Sequence, residues 1–365
     1  MYISIMKNRQ EELKVLKDMN FFFGDSLIPY IEIIKDEYEI NYEIDESTGD
    51  FVYEKKPGKT RRNRIKLPKR EEDIITLELL QKRLKGKKCF IDFFRFTNEE
   101  YGNNVFKGIE LSIKLSRDFN YYRSRILEIG NYENMIPVVS IKRNLKISEP
   151  DLTNLIKELR IKNSEIAIRI EDHLLEDYSL FLENSMNERD FLMLDIRSQN
   201  VDSKFMELDE FQDLDVESSK IIFNSPRSRI YKNGDYENLV FTKKIDNKVA
   251  KVYKQYELNG FGDYGGLKDD LPKDPSGGNG MGAALALIYL KEKNQFYSIV
   301  NEDTSKGVKG YEYIRDEVIN NLSLLDGDNS CIAIKKIKAM QVKYGNWGTW
   351  SNLTLTRYIQ QQSKK

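Results

Sequence analysis

The sequence is poor in the residues that build stapled or metal-centred proteins. Among 365 residues there are two cysteines, Cys89 and Cys331, and one histidine, His173. Two isolated thiols in apolar surroundings give neither a disulfide framework nor a cysteine metal cluster, and they read as reduced core residues. A single histidine excludes any multi-histidine metal site and makes a Ser-His-Asp or Cys-His mechanism depend on that one ring. Charge of one sign is missing too. Lys and Arg total 58 against 59 Asp and Glu, a formal net charge of -1, so contact with nucleic acid or anionic membrane would need a local patch. No apolar run is long enough to span a bilayer and Met1–Asn20 has no continuous apolar stretch of the secretory kind, so a cytoplasmic location and no membrane partner are expected. The glycine-rich stretches are not nucleotide fingerprints: 260–266 lacks a strand–glycine–helix context, 277–282 reads as a connector or lid, and no GxxxxGK loop occurs.

What is present is a rhythm. Short apolar, β-branched runs recur at Tyr2–Met6, Ile28–Ile34, Cys89–Phe94, Ile136–Ile141, Glu165–Ile170, Phe191–Ile196 and Ile221–Asn224, with a candidate eighth around Gly260–Gly265. Continuous runs bounded by polar residues suit strands buried on both faces, as in a parallel sheet. Between them, 104–115, 149–159 and 174–186 carry apolar residues at helical spacing. Glu149-Pro150-Asp151 opens the second as a helix start should, with proline in the first turn and carboxylates at the positive end. The pattern predicts an α/β fold with a (β/α)8, TIM-barrel-like core, an open doubly wound sheet being the rival.

Two regions interrupt the rhythm. Tyr38–Lys56 alternates apolar and charged residues about a Ser47-Thr48-Gly49-Asp50 turn and predicts a protruding β-hairpin. Lys55–Arg70 then carries nine basic residues and no carboxylate. Beyond 265 the alternation ends. The expected organisation is a barrel-like domain over 1–265 with a charged hairpin insert at 38–70, and a C-terminal α+β appendage over 266–365 packed on it. The appendage should hold a turn-rich loop at 274–282, a hairpin over 284–300, and helices at 310–322, 332–343 and 353–361. Trp347 and Trp350 either anchor the last helix or form an interface hot spot.

In a parallel barrel, reactive groups sit at the carboxyl ends of the strands and in the loops that follow. There the sequence sets Glu32, Asp92 and Arg95, Ser140 and Lys142, Arg169 with Glu171-Asp172-His173, Asp195 and Arg197, Asn224-Ser225 with Arg227, and Asp263. Asp92 and Asp195 are the sharpest of these, because a carboxylate inside an apolar strand needs a cation, a donor or a metal. Arg169, Arg95 and Arg197 are available partners. One reading is a polar pocket, with arginines for an anionic ligand or carboxylates for a cation. The other is an internal ion-pair network closing the barrel mouth. As an enzyme, the chain would be a metal-dependent phosphodiesterase or nucleotide hydrolase. Glu32, Asp92, Glu171 and Asp195 would hold a divalent metal ion, Arg169 and Arg197 would neutralise phosphate, and His173 would be acid or base. As a nucleic-acid binder it would use Arg61, Arg62, Arg64 and Lys66 of the basic run. The residues leave open whether the chain catalyses any reaction.

The ordered motifs resemble those of a known family. Met1-Tyr-Ile-Ser-Ile-Met-Lys-Asn-Arg-Gln-Glu-Glu-Leu-Lys-Val-Leu16 followed by Ile28-Pro-Tyr-Ile-Glu-Ile33 resembles the start of the phage "beta protein" family and its bacterial relatives. Phe90-Ile-Asp-Phe93, Ile136-Pro-Val-Val-Ser140, Ile166-Ala-Ile-Arg169, Leu194-Asp195, Gly262-Asp-Tyr-Gly265 and Gly345-Asn-Trp-Gly-Thr-Trp350 follow in the family's order. The charged insert departs from that pattern, and so does Leu353–Tyr358, which has no histidine where many members end in a pair. The resemblance implies a barrel-like α/β fold and a genomic home in prophages, satellites and defence-associated islands. It therefore implies a component of a prophage-encoded or anti-phage defence or exclusion module. Such a component would recognise or regulate a protein partner from the same operon, or a phage trigger. It supplies no reaction.

Overall fold

The computed structural model of the chain describes residues 1–55, 57–58, 60–102, 106–272 and 282–364. The loop expected at 274–282 lies outside the described residues except for Gly282. Eight parallel strands are present: β1 (Tyr2–Lys7), β2 (Leu27–Ile33), β3 (Cys89–Phe93), β4 (Met135–Ile141), β5 (Ala167–Glu171), β6 (Phe191–Asp195), β7 (Ser219–Phe223) and β8 (Gly260–Asp263). They close into a barrel in chain order, and β1 pairs with both β2 and β8. The register Tyr2↔Phe261, Ile3↔Gly262, Ser4↔Asp263 rules out the open sheet. Each expected run became a strand with its ends moved by one or two residues.

Helices cover the barrel's outside for the reason their spacing gives. Glu149–Leu159 buries Leu152, Leu155, Ile156 and Leu159 on one face, and the Ser148 side chain accepts the Asp151 N–H at its start. The stretch expected at 104–115 is shifted: the helix there spans Glu110–Arg117, and a second, Phe119–Glu128, follows. Between β7 and β8 the one α-helix among the described residues is a single turn, Val249–Val252, alongside a 3-10 turn at Asn233–Asp235 and a short strand at Val240–Phe241. Aromatic rings fill part of the barrel's interior. Tyr30 of β2 meets Phe223 of β7 with ring centroids 5.3 Å apart, and Phe90 of β3 meets Phe191 of β6 at 4.8 Å. These strands are not neighbours, so the rings cross the barrel. Gly262 makes room for one of them, since a Cβ there would lie 2.6 Å from the Phe223 ring.

The charged insert forms its hairpin about Gly49, whose φ is +74°, with Ile44 opposite Phe51. It also recruits part of the basic run as a third segment, pairing Tyr53 with Arg64 and Tyr42 with Lys66. In the C-terminal region β9 (Ala284–Leu290) and β10 (Gln295–Asn301) form the expected hairpin, and Val240–Phe241 joins β10 as a third strand. The helices there are Gly310–Asn320, Leu322–Leu325, Ile332–Lys338 and Trp347–Ser363. The expected helix over 332–343 thus stops early, and that over 353–361 starts early. The second start is fixed by Asn346, whose side chain accepts the Thr349 N–H. The tryptophans divide. Trp350 is buried, stacks on Tyr311 at 5.6 Å and donates to the Tyr344 carbonyl, while Trp347 is 52% exposed. Leu355, Tyr358 and Ile359 of the last helix share the barrel's apolar core with Leu287 and Phe296. Among the described residues no helix is long and apolar enough to cross a membrane.

Candidate functional site

The barrel's register lines up charged residues at its carboxyl end. Lys7, Glu32 and Asp92 stand side by side on β1, β2 and β3, Ser140 lies beside Arg169, and Glu171 beside Asp195. Arg169 is 2% exposed and reaches across the mouth. Its Nε and Nη2 donate to Asp195 Oδ2 at 2.9 and 2.7 Å, and Nη1 donates to Glu32 Oε1 at 2.7 Å and to Tyr30 Oη at 3.3 Å. Nη2 also reaches Tyr264 Oη at 3.5 Å. Lys7 donates to Glu32 and, at 2.8 Å, to Asp269. Buried charges are costly to desolvate, so this packing holds only because each has an opposite charge and further donors around it.

The two central aspartates are shifted in opposite directions. Burial works against the charged form of Asp195, but Arg169 and Arg197 outweigh it and hold the carboxyl below its ordinary 3.8. Glu32 is held low in the same way by Lys7 and Arg169, and Asp269 well below its ordinary range by Lys7 and Arg197. Burial wins at Asp92 and pushes it up, with Arg169 3.5 Å away only partly offsetting the effect. Asp92 Oδ2 accepts from Tyr30 Oη and Ser140 Oγ, each at 2.8 Å, while Oδ1 has no partner among the described residues. Arg95 lies outside this network, stacked 4.0 Å over the Tyr122 ring and donating to the Ser140 carbonyl at 2.7 Å.

Above the network opens a polar cleft of about 410 Å³. Arg197 forms part of its floor, held by Glu100 and by Asp269 at 3.0 Å, its backbone at φ +53°. Its own N–H donates to Asp195 Oδ1 at 2.9 Å, which ties the cleft to the network below. Lys142 and Glu171 stand on the wall, with Glu171 Oε2 accepting the Arg143 N–H at 3.0 Å. His173, 39% exposed, lies 3.7 Å from Glu171 Oε2 and 3.5 Å from Asp172 Oδ1.

Other expected site residues are elsewhere. Arg227 donates to Tyr236 Oη at 3.1 Å and to the Gly266 carbonyl at 3.2 Å, fastening the β7–β8 connection instead of lining the cleft. Asp263 accepts from Tyr358 Oη at 2.6 Å, Tyr2 Oη at 3.1 Å and the Gly265 N–H at 2.8 Å, where the last helix meets the barrel. Arg61, Arg62, Arg64 and Lys66 are exposed on the charged insert, and Arg64 lies 4.0 Å over the Phe51 ring. Among the described residues no group of three or more His, Cys, Asp or Glu is arranged to hold a metal ion. Glu32, Asp92 and Asp195, named for that role, surround the Arg169 guanidinium. Lys7, Glu100, Tyr264 and Asp269 were missed by sequence reasoning. Lys7 closes the first apolar run and was open to the same strand-end rule, whereas Glu100 comes from a one-turn helix, Asn98–Tyr101, and Asp269 from a loop, neither with a periodic signal.

The fold and this arrangement define a closed (β/α)8-barrel protein with a charge-paired mouth under an open polar cleft. The chain belongs to the Beta protein family, whose model matches residues 2–364. No curated protein and no solved structure matches it.

Proposed function

We propose that this chain is a recognition component of a prophage-borne or anti-phage defence module, and that the cleft at the barrel mouth receives its trigger or a segment of its protein partner. One observation carries the reading. The strand-end charges that a hydrolase would turn toward a substrate are spent on one another, and the groups left facing the cleft are of both signs: Glu99, Glu171 and Asp172 against Lys142, Arg143 and Arg229. Such a surface suits selective binding, in which complementary charge sets orientation and partner choice. The defence setting rests on the family. The test is capture of the neighbouring gene product, together with phage challenge of cells carrying the wild type or a double variant, Arg143→Glu with Arg229→Glu. The double variant should stay folded by circular dichroism and lose capture or protection. Retention of both would sink the reading.

A second reading, metal-dependent hydrolysis of a phosphodiester or nucleotide, is favoured by His173 and Glu171 sharing the cleft with Arg143, Arg197 and Arg229. It requires turnover of a chromogenic phosphodiester with Mg²⁺ or Mn²⁺ that His173→Ala abolishes. Nucleic-acid binding through Arg61, Arg62, Arg64 and Lys66 is the third, resting on their exposure. Neutralising those four should remove a salt-dependent affinity for single or double strands.

A further inference from the structure

We propose that Lys142 is an imine-forming lysine, its amine capturing the carbonyl carbon of a small α-oxo acid bound in the barrel-mouth cleft. The proposal rests on the reading of that cleft as a ligand site and names the class of ligand it takes.

The two buried lysines of the barrel mouth make the case by contrast. Both lie over the ring of Phe94, Lys7 at 4.5 Å and Lys142 at 4.2 Å from its centroid. Lys7 is clamped by two carboxylates, Glu32 and Asp269, and does not line this cleft. Lys142 is equally buried, at 4% exposure, yet it lines the cleft. Its Nζ donates to a neutral acceptor, the Arg95 carbonyl, at 2.7 Å. The nearest carboxylate, Glu100, is 3.5 Å away and already engaged by Arg197. Burial therefore lowers the Lys142 pKa, Glu100 offsets this only in part, and Arg197 and Arg169 push the same way as burial. A lysine desolvated beside other cations is the form of this side chain that serves as a nucleophile.

The neighbours complete the chemistry. Glu171 accepts the N–H of the next residue, Arg143, and His173 stands next to Glu171, so two candidate proton carriers line the same cleft as the amine. The Arg143 side chain is exposed and has no hydrogen-bond or ion-pair partner among the described residues, which leaves its guanidinium for the acid's carboxylate. A cleft of about 410 Å³ fits a small molecule. In the reaction the Nζ lone pair forms a bond to the carbonyl carbon and the C=O π electrons move to oxygen; the nitrogen then sheds one proton and the oxygen takes one up, giving the neutral carbinolamine. Glu171 or His173, in its protonated form, then gives a proton to that hydroxyl. Water leaves, and the nitrogen lone pair completes the C=N bond of a protonated imine. No oxidant or reductant enters.

The test treats the full chain with pyruvate and sodium cyanoborohydride, then maps carboxyethylated lysines by peptide mass spectrometry. Lys142 should be labelled saturably at neutral pH and faster than the typical surface lysine, because its amine is desolvated beside cations and lines the cleft. Labelling spread over surface lysines with Lys142 unmodified would overturn the proposal. The primary reading uses the wild type, so it does not depend on whether Lys142→Met folds. Lys142→Met with a wild-type circular dichroism spectrum should lose the fast-labelled site, and retention of a fast-labelled site elsewhere would also count against it. The two readings fail separately. Partner capture or phage protection lost on Arg143→Glu with no Lys142 adduct keeps recognition and removes the imine, while a Lys142 adduct with capture and protection indifferent to cleft variants does the reverse.

Discussion

Two buried carboxylate sites lie at the strand ends of this one barrel, and they are built on different principles. At the mouth, Glu32, Asp195 and Asp269 share Lys7, Arg169 and Arg197 and are held ionised. At the junction with the last helix, Asp263 has two tyrosine hydroxyls and one backbone N–H but no cation. Burial there pushes its pKa up to about 6, the Tyr358 hydrogen bond only partly offsetting it. The pH dependences therefore run in opposite senses. The mouth carboxylates add stability that is present above their ordinary 3.8 to 4.5 and is lost as pH falls through their lower folded values. The neutral Asp263 adds stability that is present below 3.8 and is lost as pH rises through about 6. Position at a strand end does not by itself make a functional group. What surrounds the carboxyl decides whether it belongs to the barrel mouth or fastens a helix.

The most damaging way to probe this difference is to remove the shared cation. Arg169→Met leaves Asp195 and Glu32 buried without their main partner and should cost about 3–5 kcal/mol in urea unfolding. A cost below about 1 kcal/mol would mean that the mouth is not held by its charges. Next in size is Asp263→Asn, which removes the ionisation from the helix junction. The stability difference between variant and wild type should shift in the variant's favour by on the order of 2 kcal/mol as pH rises from about 4 to 7, and stay level above that. Parallel pH profiles for the two proteins would remove the contrast. The smallest effect is expected at Asp92→Asn, within about 1 kcal/mol, because the carboxyl is already pushed toward its neutral form and one oxygen has no partner among the described residues. A cost matching that of Arg169→Met would place Asp92 among the ionised groups instead.

Much of the scaffold was legible because parallel strands buried on both faces leave continuous apolar runs; seven of the barrel strands left one, and β8, Gly-Phe-Gly-Asp, was only a candidate in a glycine-rich stretch. Glu32, Asp92, Arg169 and Asp195 were legible for the same reason, as polar residues interrupting such runs. Whether they would pair or stay open was not, since that depends on Arg169 spanning the barrel to Glu32 on a strand three places away. Arg227 and Asp263 obey the strand-end rule yet face the C-terminal region, because the last helix packs beside β8 and supplies Tyr358. Asp269 holds Lys7 and Arg197 from a loop and Glu100 holds Arg197 from the one-turn helix Asn98–Tyr101, where contact follows from tertiary packing and no spacing announces it. The basic run showed its charge but not its fold: Arg64 and Lys66 pair as the insert's third segment.

The pairing of Tyr2 with Phe261 sets a clock on biosynthesis. The first strand can find one neighbour early, in β2, but its other edge must wait until the eighth strand has been made. At about 5–20 residues per second of synthesis, the 259 positions between those partners correspond to roughly 13–52 seconds. Through that interval an apolar strand edge stands unpaired on the ribosome, a natural template for association with another chain. Yield in a cell should thus track how well this edge is shielded during translation, and chaperone supply or a slower-initiating message should raise recovery without altering the finished protein.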